Sequence, residues 1–244
     1  MRKFIIVLIL LVLTAGTTLA QDATPLEFDT LIEGELDNST FEIEYVFEGA
    51  AGEFVLIEML PAPGTYDLDP ALVLLDADGE QIANSDSFDG WDALVVAELP
   101  DDGEYTVLAT RSGGTTGDTE GDYVLRARFV EPLTSGTSFE ATIYSDMGKA
   151  IPERAILYPQ EDGAMQITFN QEVGELFASL KFFDWQTGDE GSTLFSLDNS
   201  SGLGRATFAL PVESETFYVL SVDKALFSFS FGKDESTTVK ITVE

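Results

Sequence analysis

The chain has 244 residues, of which 44 are acidic and 12 basic, and its formal net charge is −32; it contains neither histidine nor cysteine. Such a charge repels nucleic acid and anionic membrane surfaces, so we expect no nucleic-acid partner. Without histidine and cysteine, the Ser-His and Cys-His nucleophile systems are excluded, and so are disulfide bonds. A hydrophobic content of 44% is enough for packed cores, so the charge does not indicate a disordered chain.

Residues 1–20 have the order of a secretory signal peptide. Arg2 and Lys3 precede the ten-residue apolar run FIIVLILLVL, and small residues at Thr18 and Ala20 come before position 21. A membrane span takes roughly 20 apolar residues, so this run is too short for an anchor. We expect cleavage after Ala20 and a mature protein that is secreted or held in the cell envelope. No later stretch predicts a transmembrane segment.

Beyond the signal, apolar and polar residues alternate with period 2, which predicts β-strands with one buried face. The alternation occurs, in chain order, in FEIEYVF, GEYTVLA, DYVLRARF, LFSFSFG and TTVKITVE. In DYVLRARF the predicted buried face holds Tyr123, Leu125, Ala127 and Phe129. Gly-, Pro- and Asp-rich turns separate these runs, and no long pattern with a helical period follows the signal. Short strands at near-regular spacing favour a β-sandwich or barrel.

The stretch LVLLDADGEQIANSDSFDGWD, residues 72–92, places acidic residues behind an apolar run. An EF-hand loop starting at Asp76 would need glycine at its sixth position and glutamate at its twelfth, but Gly79 is fourth and Ser87 is twelfth. DADG instead predicts a tight turn, because aspartate favours the turn start and glycine supplies a positive φ. The following loop offers hard oxygen ligands that suit Ca²⁺, with a solvated acidic loop as the alternative. The candidate ligands are Asn84, Asp86, Asp89 and Asp92.

Two tryptophans lie beside predicted turns, Trp91 in DGWD and Trp185 in FDWQTG. An exposed indole ring there would stack on a sugar or grip a peptide, so both are candidate binding residues. The more ordinary alternative is a partly buried loop anchor, because tryptophan is amphipathic and usually well buried.

The second half of the chain repeats the first in the order of its strands and turns. Residues near 134–244 follow the pattern of residues near 28–130, and VEPLTSGTS forms the predicted linker. We therefore predict two domains, 21–132 and 133–244, after the signal peptide 1–20. The equivalent positions are Asp76 and Asp184, Gly79 and Gly188, Leu99-Pro100 and Leu210-Pro211, and Tyr105 with either Phe217 or Tyr218. Residues 21–132 hold 27 acidic and 3 basic residues, a net charge of −24, so this half is the better candidate for cation binding.

The first half contains a series of motifs over about residues 28–130: Asp69-Pro70, Asp76 to Gly79, Asn84 to Asp86, Leu99 to Tyr105 and Gly121 to Leu125. In their order and spacing these motifs resemble the bacterial pre-peptidase C-terminal domain family. The second half is a degenerate copy, without Asp-Pro before SLKFFD and without an Asn-x-Asp loop. The resemblance implies a tandem pair of jelly-roll-like, antiparallel β-sandwiches of the kind appended to secreted bacterial enzymes. Here we expect the pair to make up the mature protein.

The resemblance also implies calcium-stabilised folding. Calcium-binding relatives take some ligands from the segment before the first strand, which in this chain makes Glu27, Asp29 and Asp37 candidate Ca²⁺ ligands. For both acidic groups we predict weak extracellular Ca²⁺ binding, and no other cofactor.

Catalysis has little support in the sequence. No G-x-S-x-G motif is present, and although a glycosidase needs only two carboxylates, 44 acidic residues make some pair inevitable. We therefore predict a non-enzymatic protein that binds a polypeptide, a glycan or the envelope at or outside the cell surface. The alternatives are a secreted hydrolase that uses paired carboxylates and a purely structural envelope module.

Overall fold

The structure, a computed structural model, describes residues 23–62, 67–86, 92–144, 152–171, 176–183, 190–199, 205–223 and 236–244. The predicted signal peptide lies outside these ranges, as do Asp89, Trp91, Asp184, Trp185 and Gly188. Within them, all regular structure is β-strand apart from the 3₁₀ helix Gly114–Thr116. No helix in the described ranges has the length and hydropathy needed to cross a membrane.

The first half of the chain contains nine strands: β1 Thr24–Pro25, β2 Ile32–Leu36, β3 Glu42–Gly49, β4 Phe54–Pro61, β5 Pro70–Leu75, β6 Gln81–Ser85, β7 Ala93–Glu98, β8 Gly103–Arg111 and β9 Gly121–Phe129. They form two sheets, with the strand orders β1-β3-β8-β5-β6 and β2-β9-β4-β7. Neighbouring strands are antiparallel except for the short parallel pair β1 and β3.

The second half contributes β10 Ser138–Tyr144, β11 Glu153–Leu157, β12 Gly163–Gln171, β13 Leu176–Phe183, β14 Glu190–Asn199, β15 Arg205–Val212, β16 Tyr218–Asp223 and β17 Ser236–Val243. Its sheets have the orders β10-β17-β12-β15 and β11-β16-β13-β14. This is the strand order of the first half without β1. The sheet β10-β17-β12-β15 corresponds to β2-β9-β4-β7, and β11-β16-β13-β14 corresponds to β3-β8-β5-β6. The predicted all-β class with two antiparallel sandwiches is confirmed, and the repeat seen in the sequence corresponds to one pairing order used twice. The division at residue 132 stays a prediction.

Alternate side chains fill the space between the sheets of the first half, as the period-2 pattern predicts. Tyr45, Val55, Ile57, Tyr105 and Leu125 are among the buried residues of this core. The hydroxyl groups of Tyr45 and Tyr123 lie 2.8 Å apart, so two buried polar groups satisfy each other across the core. A separate cluster that includes Ile167, Phe169, Leu220 and Ile241 forms the core of the second half.

One tyrosine in each half binds the backbone of the segment before its strand. The Tyr105 hydroxyl donates to the Asp101 carbonyl at 2.6 Å. The Tyr218 hydroxyl accepts from the Glu213 N–H group at 2.8 Å. The repeat therefore equates Tyr105 with Tyr218, while Phe217 packs between the halves.

Removing the Tyr105 hydroxyl is expected to reduce stability modestly. Tyr105→Phe deletes the hydrogen bond to the Asp101 carbonyl and a longer one, at 3.3 Å, that the hydroxyl accepts from the Asp101 N–H group. The buried ring stays in place, so the free energy of unfolding should fall by about 1 kcal/mol. Urea denaturation of the variant and the parent protein measures the difference. An unchanged denaturation midpoint would show that water replaces the hydroxyl group without cost.

Strand β4, in the sheet β2-β9-β4-β7, is buried on both faces. On β4, Val55, Ile57 and Met59 point into the core of the first half, so the intervening Leu56 and Glu58 point to the opposite face. There, apolar residues of the first half pack against apolar residues of the second, and together they form one cluster: Leu56, Leu94, Val96, Ile156, Phe217 and Val219. The two sandwiches are therefore joined by a buried apolar contact.

Next to this contact lies an ion-pair network centred on Glu58, whose side chain is fully buried. One carboxylate oxygen accepts from Arg126 Nε at 2.6 Å, and the other is paired with the fully buried guanidinium group of Arg154. Arg128 lies 3.6 Å from the carboxylate. Burial would raise the pKa of Glu58, but the three guanidinium groups, Arg154 foremost, outweigh it and hold the pKa below its usual value.

The outer members of this network connect the two halves. Arg126 and Arg128, on β9, reach the Glu153 carboxylate on β11 at 3.2 and 3.4 Å. Arg154 reaches back to Asp92 at 2.6 Å. The network contains three arginines and three carboxylates and so is neutral as a whole.

The remaining basic residue of the first half is also turned inward. Arg111 is only 3% exposed. It donates to the side chain of Asn38 and to the carbonyl groups of Gly114 and Thr119, at 2.8 to 3.2 Å. All three basic residues of positions 21–132 are therefore buried or nearly so.

Candidate functional site

The DADG segment is a tight turn, as predicted. The Asp76 carboxylate accepts from the N–H groups of Asp78 and Glu80, at 3.0 and 2.8 Å. Gly79 has a φ of +79° and donates its N–H group to the Asp76 carbonyl. This aspartate therefore shapes the chain reversal between β5 and β6.

The structure assigns other partners to two of the four predicted loop ligands. The Asn84 side-chain oxygen accepts from Gln81 Nε2 at 3.0 Å. Asp92 faces the junction of the two halves, where its carboxylate pairs with Arg154, and its role as a Ca²⁺ ligand stays a prediction. Asp86 follows β6. Burial of the Asp69 carboxyl group raises the pKa of Asp69, and the negative charge of Asp86 raises it further. Asp89 lies outside the described residues.

The three predicted ligands near the first strands are described, and they do not converge. The Asp37 carboxylate accepts from the Ser39 hydroxyl and from the N–H groups of Ser39 and Thr40, at 2.6 to 2.7 Å, and these bonds lower its pKa. Asp29 is at a turn with a φ of +59°, and Glu27 accepts a long hydrogen bond at its carbonyl from Thr30. In the described part of the chain, no three acidic residues are grouped so as to hold a metal ion.

Calcium binding stays a prediction, and thermal melting tests it. A ligand that binds only the native state raises the melting temperature, so millimolar Ca²⁺ should stabilise the protein relative to a chelator. Mg²⁺ at the same concentration controls for general screening of the acidic surface. Equal melting temperatures in Ca²⁺ and chelator would end the hypothesis.

A groove with a volume of about 370 Å³ opens at one end of the first sandwich. Three phenylalanines form its aromatic part. The rings of Phe28 and Phe129 are stacked, with centroids 4.2 Å apart and 9° between their planes. Phe47 presents its ring at a steep angle to both, at 5.2 and 6.2 Å. Phe47 belongs to the buried core, whereas Phe129 is 41% exposed, so the groove connects the core with solvent.

The segment before β2 builds the groove by crossing from one sheet to the other. β1 pairs with β3, and Leu26 then donates its N–H group to the Val46 carbonyl at 2.8 Å. Only two residues later, Phe28 bridges to Ala127 of β9 in the opposite sheet. This crossing holds Phe28 against Phe129 at the last residue of β9.

Two carboxylates and an apolar wall complete the groove. Pro25, Leu26 and Val46 line it beside the rings, together with Glu48 and Glu104. These two glutamates are partners in the register of β3 and β8, and both are exposed on the outer face of the sheet. The site therefore combines exposed aromatic surface with two adjacent negative charges.

These groove residues were not predicted as a site from the sequence. The alternation in β9 predicted a buried face of Tyr123, Leu125, Ala127 and Phe129, and Tyr123, Leu125 and Ala127 are buried as predicted. Phe129, the last residue of β9, is the exception, because Phe28 and Phe47 pack against its ring and still leave 41% of the residue exposed. Its only sequence signal is its position as the last inward residue of the run. The predicted binding residues Trp91 and Trp185 lie outside the described residues.

A pre-peptidase C-terminal domain is among the solved structures that the chain is similar to. It comes from a collagenase of Bacillus anthracis, with 19% identity and a TM-score of 0.35 over 43% of this chain and 94% of that domain. The family suggested by the sequence resemblance is thus represented among similar structures. Membership stays a prediction, because no protein-family model and no curated protein matches the sequence.

Two further similar structures extend over both halves of the chain. PBSX exported protein XepA has 10% identity and a TM-score of 0.29, with 91% of this chain and 90% of that one covered. The CBM22-1–CBM22-2 tandem domain of Xyn10C from Paenibacillus barcinonensis has 13% identity and a TM-score of 0.25, with 81% and 82% covered. The fold assignment depends on the strand pairing described above and not on these low scores.

Proposed function

We propose that this protein is an exported, non-catalytic β-sandwich protein that binds an extracellular polypeptide at the Phe28–Phe129 groove. The observation that carries the proposal is the stacked phenylalanine pair, which remains partly exposed on a chain with a net charge of −32. Covering an exposed aromatic ring removes apolar surface from water and favours association. Export is supported by the signal-like residues 1–20.

The lining of the groove favours a polypeptide side chain over a sugar. Pro25, Leu26 and Val46 provide only hydrocarbon beside the rings. Sugar hydroxyl groups that face this apolar wall would lose hydrogen bonds to water, and only the groove's other side, with Glu48 and Glu104, offers acceptors to replace them. An aliphatic or aromatic side chain incurs no such cost.

The hydrolase alternative has one observation in its favour, because Glu48 and Glu104 line the same groove. Paired carboxylates are the machinery of glycosidases, in which one group must stay protonated near neutral pH through burial or a neighbouring charge. Both glutamates here are exposed on the outer face of the sheet, so neither carboxyl group has the burial that a glycosidase acid needs. The exposure favours binding over catalysis.

Selection from a displayed library of random peptides tests the proposal. The purified protein should enrich peptides with aromatic or aliphatic residues, and Phe129→Ala should abolish the enrichment. Leu31→Ala is the matched control, since Leu31 is an apolar residue with 54% exposure that does not line the groove. Enrichment that survives Phe129→Ala would contradict the proposal. Cleavage of oligosaccharides or peptides that disappears in Glu48→Gln would establish the hydrolase instead.

A further inference from the structure

We infer that the polypeptide bound at the groove is an extended, basic segment that adds to the part of the β3 edge that no described strand covers. The inference rests on the proposed function, because it concerns the same groove. It specifies the backbone conformation of the ligand, its charge and the strand edge that it occupies.

The described strands cover the edge of β3 only in part. In its register with β1, the last pair is Pro25 and Val46, and the final hydrogen bond runs from the Leu26 N–H group to the Val46 carbonyl. The chain then leaves for the opposite sheet. Among the described strands, none pairs with β3 on this side from Phe47 to Gly49.

The direction of the uncovered backbone groups follows from strand geometry. The N–H and C=O groups of one residue point to the same side of a strand, and alternate residues point alike. Because the Val46 carbonyl points toward Leu26 and away from β8, the N–H and C=O groups of Glu48 also point away from β8. They lie beside the groove, which Glu48 lines. A peptide in extended conformation can bind such groups as an added strand.

The charge of the ligand follows from the two glutamates. Glu48 is opposite Glu104 in the register, in a pair of the non-hydrogen-bonded type, for which the Cβ atoms are roughly 4.5–5.5 Å apart. Like charges in this position repel each other. A lysine or arginine side chain between them relieves the repulsion, and the −24 charge of positions 21–132 attracts a basic segment from a distance.

Together these features specify an alternating ligand. Successive side chains of an added strand point to opposite faces. Basic residues would lie on the outer face with Glu48, and the residues between them would turn toward Phe28 and Phe129. The expected ligand pattern therefore alternates basic with aromatic or aliphatic residues.

Synthetic peptides test the inference. We expect acetyl-KFKFK-amide to bind at least threefold more tightly than acetyl-QFQFQ-amide at low ionic strength, with the advantage reduced by salt. Glu48→Gln with Glu104→Gln should remove the advantage. Glu42→Gln, an exposed glutamate of the same strand outside the groove, should keep it. Peptide binding should also slow hydrogen exchange at the Glu48 amide, and N-methylation of the central peptide bonds should weaken binding at least tenfold.

The outcomes separate the inference from the proposed function. If both peptides bind alike, in a manner that depends on Phe129, and the exchange of the Glu48 amide is unaffected, the added basic strand is wrong while the binding groove stands. If binding is indifferent to Phe129→Ala, or if neither peptide binds, the inference is overturned. Binding that is indifferent to Phe129→Ala would also contradict the proposed binding groove.

Discussion

Glutamine in place of Glu58 is expected to lower the free energy of unfolding by about 3–5 kcal/mol, the cost of breaking a buried ion pair by removing one partner. The substitution leaves Arg154 fully buried with Asp92 as its only remaining carboxylate in the network. Arg126 retains the Glu153 carboxylate and the Pro152 carbonyl as partners. Because the network joins the two sandwiches, the contact between them should weaken together with the fold.

The pH dependence of this loss has a definite sign. The pKa of Glu58 is lower in the folded protein than its usual value, so its ionised form stabilises the fold above the usual pKa. That contribution is lost as the pH falls through the folded-state pKa. The stability difference between the parent protein and Glu58→Gln should therefore be largest near neutral pH and shrink in acid.

Urea denaturation at several pH values measures both effects. Glu42→Gln, which neutralises an exposed glutamate, is the matched control and should change stability by less than about 0.5 kcal/mol. A double-mutant cycle with Arg154→Met should show strong coupling, because Glu58 and Arg154 are direct partners. A cost for Glu58→Gln no larger than that of the control would contradict the stabilising role of the network.

Alanine in place of Gly34 is expected to destabilise the protein by about 1–3 kcal/mol through overpacking. A Cβ atom at this position would lie 2.3 Å from the Tyr123 ring and 2.4 Å from its hydroxyl oxygen. The ring has no free space, since Tyr123 is fully buried and its hydroxyl group is bound to Tyr45. Either the ring or strand β2 must move.

Gly163→Ala is the control for Gly34→Ala. Gly163 begins β12, and no atom lies within 4 Å of an added Cβ. Its substitution should be close to neutral, so thermal melts should separate the two alanine variants. In a Tyr123→Leu background, Gly34→Ala should cost less than in the parent protein, because the ring that obstructs the Cβ is gone. An equal cost in both backgrounds would locate the strain elsewhere.

The strands and the turns could be predicted because their signals are local, and the repeat could be predicted because the same local signals recur in the same order. Alternation in FEIEYVF and DYVLRARF reports one buried face, and DADG has the residues of a turn. The double burial of β4 is different, since it depends on the second sandwich packing against the first. Its trace in the sequence is the apolar run FVLIEML, in which Glu58 stands alone.

The candidate site depended still more on long-range geometry. Asp92 has the chemistry of a metal ligand, but its partner Arg154 is 62 positions away in the sequence, and no local pattern connects them. Phe129 points inward like the alternate residues of its strand and is nevertheless partly exposed, because Phe28 and Phe47 cover only part of its ring. The alternation along a strand determines which way a side chain points, whereas its exposure depends on which residues the fold packs against it.

The burial of the arginines in the first half affects the interaction between copies of this protein in solution. With Arg111, Arg126 and Arg128 withdrawn from the surface, collisions between first halves bring carboxylates against carboxylates. The resulting colloidal repulsion decays over about 10 Å at 0.1 M salt and reaches roughly 30 Å at 0.01 M. The osmotic second virial coefficient should accordingly be strongly positive in dilute buffer and fall steeply as electrolyte is added.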